Sequence, residues 1–181
     1  MESEKEYTAF AGDQRIVSGD LRTMLTRTKE RMEQGEAGPI LIFDDETGQQ
    51  VDFDFSGTIE EVVARAAPPK PGRGRPKLGV VGREVSMLPR HWEWLERQPQ
   101  GISGTLRRLV EEAKKKDPEG ERVRMARDAA SRFMWSMAGN LPDFEEATRA
   151  LFAGDEARLT ALMSAWPQDV RGHVERLIRR G

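Results

Sequence analysis

Cysteine is absent from all 181 residues. Disulfides, thiol nucleophiles and thiolate metal sites are thereby excluded. Histidine occurs only at His91 and His173, too few for a histidine-built metal site within one chain. Aromatic residues make up 7% of the chain and hydrophobic residues 37%, against 33% charged. That is more charge and less apolar mass than an ordinary globular chain carries, so the core is expected to be divided among small units. No apolar run approaches the roughly 20 residues of a membrane-spanning helix. The opening residues, Met1 to Glu6, are acidic and lack the apolar centre of a signal peptide. A cytoplasmic protein that does not engage membranes is the expectation. No cofactor signature and no catalytic constellation stands out, so a non-enzymatic role is expected.

Charge is present in abundance and unevenly placed. The whole chain has a formal charge of −2. Residues 1–67 hold 7 basic and 15 acidic side chains, residues 68–116 hold 12 and 5, and residues 117–181 hold 10 and 11. A basic middle between acidic flanks implies a polyanion site there, or a docking surface for an acidic partner.

The pattern predicts an α+β protein with a small N-terminal α/β unit over residues 1–67. Tyr7–Ala11 and Arg15–Ser18 read as short strands around the Gly12-Asp13 turn. Asp20 suits a helix N-cap, followed by Leu21, Met24, Leu25, Thr28 and Met32 at helical spacing up to Gly35. Pro39–Phe43 reads as a strand, and so does the alternating run Val51, Phe53, Phe55. Thr58 with Glu61 is a capping box. Residues 68–79 then form a basic Pro/Gly linker, since Pro68, Pro69 and Pro71 forbid a helix. Residues 80–116 read strand, helix, helix. The strand covers Glu84–Leu88, one helix follows Pro89 to about Gln98, and a second, capped by Ser103, runs from Gly104 to Lys116 with Leu106, Leu109, Val110 and Ala113 as its apolar stripe. Asp117–Gly120 reads as a loop. Residues 121–181 read as helical, with Val123, Ala126, Ala130, Phe133, Met134 and Met137 on one face and Asp143 paired with Glu146 as a cap.

The candidate site lies in the linker. Pro71 to Lys77 resembles an AT-hook. Glycine fits a narrow minor groove where larger residues collide, and such grooves concentrate negative potential. Arg73, Gly74, Arg75 and Pro76 would enter the groove, with Lys70 and Lys77 on phosphates. The alternative is a merely solvated basic connector. Residues 83–116 weakly resemble ribbon-helix-helix proteins, in which two chains pair their short strands in the major groove. That resemblance implies a homodimer, with Arg83 facing DNA and Ser103, Gly104 and Thr105 at a phosphate. The alternative is an ordinary strand–helix–helix unit. Neither face of the strand reads bases well, Val85 and Met87 being apolar and Glu84 acidic, so low sequence specificity on A·T-rich duplex is expected.

Other residues invite chemistry and are read more plainly. His91 and Glu93, two apart on a helix, face different ways. Asp44, Asp45, Glu46, Asp52 and Asp54 lack calcium-loop spacing and read as a solvated acidic hairpin. Trp92 suits a core. Trp94 lies elsewhere on the same helix and is expected to be buried too, because tryptophan usually is. The runs GRPKLGVVGREVSMLPRHWEWL (74–95) and RFMWSMAGNLP (132–142) resemble a bacterial family of unknown function, which implies a bacterial cytoplasmic protein and supplies no activity to carry over. The expected role is therefore DNA binding as a regulator or nucleoid-associated factor, the alternative being a protein-interaction adaptor whose basic linker docks an acidic partner.

Overall fold

A computed structural model describes residues 5–35, 38–67, 79 and 81–181. It is α+β, as the pattern requires, and divides into two compact units: residues 1–67 with 119–181, and residues 68–118. The N-terminal segment and the C-terminal helices, read separately from sequence, thus share one unit.

In that unit β1 (Glu6–Ala11), β2 (Gln14–Asp20) and β3 (Ile40–Asp44) form an antiparallel sheet of order β2-β1-β3. Helix α1 (Leu21–Glu33) begins at Asp20, whose side chain accepts from the Thr23 N–H at 2.9 Å. Helix α2 (Ile59–Ala66) carries the expected Thr58–Glu61 capping box. Strand alternation sends residues to two cores. Tyr7, Ala9 and Ile42 pack with Met24 and Leu25 of α1 and Val62 of α2. Phe10 and Phe43 join the other core, built by α5 (Pro118–Ala138), α6 (Phe144–Ala153), α7 (Glu156–Leu162) and α8 (Gln168–Ile178). A sheet with apolar side chains on both faces needs cover on both, which is why the C-terminal helices belong to this unit. Phe43 meets the Phe133 ring edge-on at 4.9 Å between centroids, a favoured aromatic geometry.

Several local readings change. Val51, Phe53 and Phe55 do alternate, but they form no strand. The bridge of Phe43 to Gln50, made by the Asp44 N–H to the Gln49 carbonyl at 2.9 Å and the Val51 N–H to the Ile42 carbonyl at 2.8 Å, is followed by departure of the segment from the sheet edge. The loop expected over Asp117–Gly120 shrinks because Pro118 sits at the helix start, where its missing N–H costs nothing. Asp143 makes no side-chain cap. It is left-handed at φ 58°, and only its carbonyl opens α6, accepting from the Ala147 N–H at 2.8 Å. The same tight turn presents the Pro142 carbonyl to Trp166 Nε1 at 2.8 Å.

The second unit holds an extended stretch and the helices α3 (Pro89–Glu96) and α4 (Gly101–Lys116). The strand expected at Glu84–Leu88 is not formed. Residues 81–88 have no regular structure, and a strand needs a ladder partner that this stretch does not have within the described residues. Helix α3 stops at Glu96, two residues short of the expected end. Helix α4 begins at Gly101, after the Pro99 break, so Ser103 lies inside it and does not cap it. The apolar stripe of α4 is largely open, with Leu109 and Val110 exposed, and Leu95 is the buried hydrophobic residue of the described part of this unit.

Candidate functional site

The positions named for groove insertion and their flanking lysines, Lys70, Arg73, Gly74, Arg75, Pro76 and Lys77, lie outside the described residues. The remaining candidates are placed. Arg83 is exposed on the extended stretch. Ser103 is exposed in the first turn of α4, where its carbonyl accepts from Arg107 Nε at 3.1 Å. Gly104 is half-buried and Thr105 is buried. A phosphate at the start of α4 would therefore meet Ser103 and open backbone, while the Thr105 side chain faces inward.

The charge of this unit is more sharply arranged than its total shows. From Val81 to Ala113 there are five arginines, five glutamates and no lysine. The excess of positive charge sits at the two ends, in Lys70, Arg73, Arg75 and Lys77 on one side and in Lys114, Lys115 and Lys116 on the other. Those three lysines are exposed in the last turn of α4, where cations also suit the helix dipole. Arg108 is internally matched, pairing with Glu112 at 2.7 Å. Trp92 is half-buried, and Trp94 is 49% exposed rather than buried. The short α3 has one buried position, Leu95, and the side chain of Trp94, one residue before it, points elsewhere.

The acidic hairpin requires a larger correction. Glu46, Asp52 and Asp54 are exposed, but Asp44 and Asp45 are buried. Asp44 Oδ1 accepts from the Glu46 N–H at 2.9 Å, and its Oδ2 pairs with Lys5 at 2.8 Å. That bond raises the Lys5 pKa above the ordinary lysine range. Asp45 Oδ2 receives Arg176 at 2.8 Å and Arg180 at 3.2 Å, and Arg180 also pairs with Glu6. Two carboxylates from the sheet end thus face two guanidiniums from the end of the chain. Arg176 Nη2 also reaches Thr8 Oγ1, and His173 Nδ1 at 2.9 Å. An arginine N–H only donates, so Nδ1 accepts and the ring proton sits on Nε2. Nε2 faces Asp45 Oδ1 at 3.6 Å, too far for a hydrogen bond, and both atoms are buried without one.

Burial sets the protonation of this cluster. It holds His173 down to about 3, with Arg176, Arg15 and Arg180 adding to the effect. It pushes the Asp45 carboxyl above its usual range, more than Arg176 and Arg180 pull it back. His173 is fully buried and its ring stacks edge-on with Phe133 at 4.4 Å and Phe10 at 5.5 Å. The cluster is a latch between sheet and α8. A neutral, sealed imidazole has no route to a substrate proton.

A second lock joins the same hairpin to α5. Arg132 donates to the Thr47 carbonyl at 2.8 Å. Gly48 has φ +68°, and a Cβ there would come within 1.9 Å of the Ala129 carbonyl oxygen. The loop is seated on the helix by a residue that must lack a side chain.

Residues 6–178 match the family described as "Uncharacterized protein conserved in bacteria (DUF2239)". The chain belongs to this bacterial family. The match spans both units and includes the Asp45–His173–Arg176 latch at its two ends. No curated protein and no solved structure matches the chain. Among the described residues, no group of three or more His, Asp or Glu side chains could hold a metal ion, and no helix is long and apolar enough to cross a membrane.

Proposed function

We propose that this protein binds DNA, preferring A·T-rich duplex with little base-specific readout. The observation that supports the reading is the placement of cations at both ends of the middle unit, around a described stretch with equal arginine and glutamate. Basic clusters at the two sequence ends of the unit would neutralise phosphates on one duplex, and the Arg-Gly-Arg-Pro sequence from Arg73 to Pro76 combines the cations and the side-chain-free glycine that a narrow minor groove admits. The chain would act as a homodimer, the exposed stretch 81–88 of one copy supplying the ladder partner that the other lacks. A regulator or a nucleoid-associated factor is the role that follows.

The test is a gel-shift titration on A·T-rich and G·C-rich duplexes of equal length, at several salt concentrations. Binding should favour the A·T duplex, and Arg73→Ala/Arg75→Ala should reduce the slope of log affinity against log salt by about 2. Equal affinity for both duplexes, unchanged by the double substitution, would remove the groove reading and favour an adaptor whose basic segment docks an acidic protein.

A further inference from the structure

We propose that the groove at the outer edge of β3 binds small apolar molecules that carry a primary ammonium group. The inference is independent of the DNA reading. The groove arises from the departure of residues 51–55 from the sheet. Antiparallel pairing sends the N–H and C=O of alternate residues to opposite sides of a strand. The Ile42 carbonyl accepts from Val51, and the Asp44 N–H donates to the Gln49 carbonyl, both on the edge away from β1. Ile40 follows the same alternation, but the segment has already turned away. Its outward backbone groups have no ladder partner among the described residues.

The space left is a cavity of about 420 Å³, walled by Met32, Ile40, Ile42, Phe53 and Phe55, with Asp52 at its polar side. That is within the usual size range for small-molecule sites, which combine apolar walls with a few placed polar groups. The segment is held open by its own contacts. Phe53 meets the Tyr7 ring edge-on at 5.9 Å, and Lys29 donates to the Phe55 carbonyl at 3.1 Å.

Charge selects the ligand class. The neighbouring acid, Asp54, is matched by Arg65 at 2.8 Å. Asp52 has no cation within ion-pair distance among the described residues, and receives only a long 3.4 Å bond from Gln50 Nε2. A cationic N–H donor seated here would meet the Asp52 carboxylate, while its apolar body covers Phe53 and Phe55. An anion would be repelled by Asp52, and a neutral alcohol would forgo the charge-assisted bond.

The probe is 2-phenylethylammonium, titrated into the full-length protein with the isoleucine and valine methyl resonances followed by NMR. The expected result is saturable shifts at Ile40, Ile42 and Val51, binding about tenfold weaker for 2-phenylethanol, and none for 3-phenylpropanoate. Asp52→Asn, on an exposed side chain and checked by an unchanged thermal melt, should erase the advantage of ammonium over alcohol. Absence of saturation by the ammonium, equal affinity of ammonium and alcohol, or an undiminished preference in Asp52→Asn would each overturn the proposal. Duplex binding is not read in this experiment, so its result leaves the DNA reading untouched.

Discussion

Lowering the pH from 7 to 5 should cost the folded protein about 2 kcal/mol through His173 alone. In the unfolded chain its imidazole titrates near the ordinary histidine value of 6.5, whereas in the fold burial and three nearby arginines hold it to about 3. The folded value is depressed, so the unfolded chain takes the proton first. Stability is complete above pH 6.5 and drains away as the pH falls towards 3. The full difference approaches roughly 5 kcal/mol, with nearly half of it lost by pH 5. Asp45 acts with the opposite sign. Its folded carboxyl takes a proton earlier than the free residue, so acidification relieves part of the cost of a buried charge. The assay is urea unfolding at pH 7, 6, 5.5 and 5, followed by the fluorescence of Trp135 and Trp166 in a Trp92→Phe/Trp94→Phe background. His173→Gln removes the titrating ring and should flatten the profile between pH 7 and 5. Parallel profiles for parent and His173→Gln, or a loss in the parent below about 0.5 kcal/mol, would refute the claim that this ring is sealed and neutral.

Gly48→Ala forces a Cβ into the Ala129 carbonyl and strains a positive φ, so a loss of about 2–4 kcal/mol is expected in the same urea titration. Asp45→Leu leaves Arg176 and Arg180 without their shared carboxylate, and should cost about 3 kcal/mol, while Arg149→Ala, on an exposed pair, should stay within about 0.5 kcal/mol. Lys114→Gln/Lys115→Gln/Lys116→Gln should lower the salt slope of duplex binding by up to about 3 without changing the A·T preference. Val85→Cys in this cysteine-free chain should form a disulfide-linked dimer under mild oxidation if copies pair antiparallel around Val85, and Gly82→Cys should not, because in that register it lies far from its copy. A Val85→Cys protein that stays monomeric at high concentration speaks against the homodimer.

Local chemistry was legible where one short stretch decides the outcome. Asp20 caps α1 and Thr58 with Glu61 caps α2 because capping depends on residues three apart. The turn at Gly12-Asp13 joins β1 to β2 for the same reason. Readings failed where a distant segment had the decisive part. Glu84–Leu88 carries a strand-like pattern, yet a strand exists only with a second strand beside it. Asp44 and Asp45 look like a solvated hairpin until Lys5 pairs with Asp44, and Arg176 of α8 and Arg180 just beyond it close on Asp45. No spacing rule connects residue 45 with residues 173, 176 and 180, so the latch had no local signal. Gly48 offered only a turn, and its close approach to Ala129 belongs to packing alone.

Alone, then, the amino-acid order determined the class of the protein, the caps that open α1 and α2, the uneven charge and the exclusion of thiol chemistry. Each follows from neighbours along the chain or from composition. Tertiary structure decided which ends meet, which acids are buried and which histidine is neutral. Those depend on removing charges from water beside partners more than a hundred residues away, and that desolvation exists only once the sheet and the last helix have closed on one another.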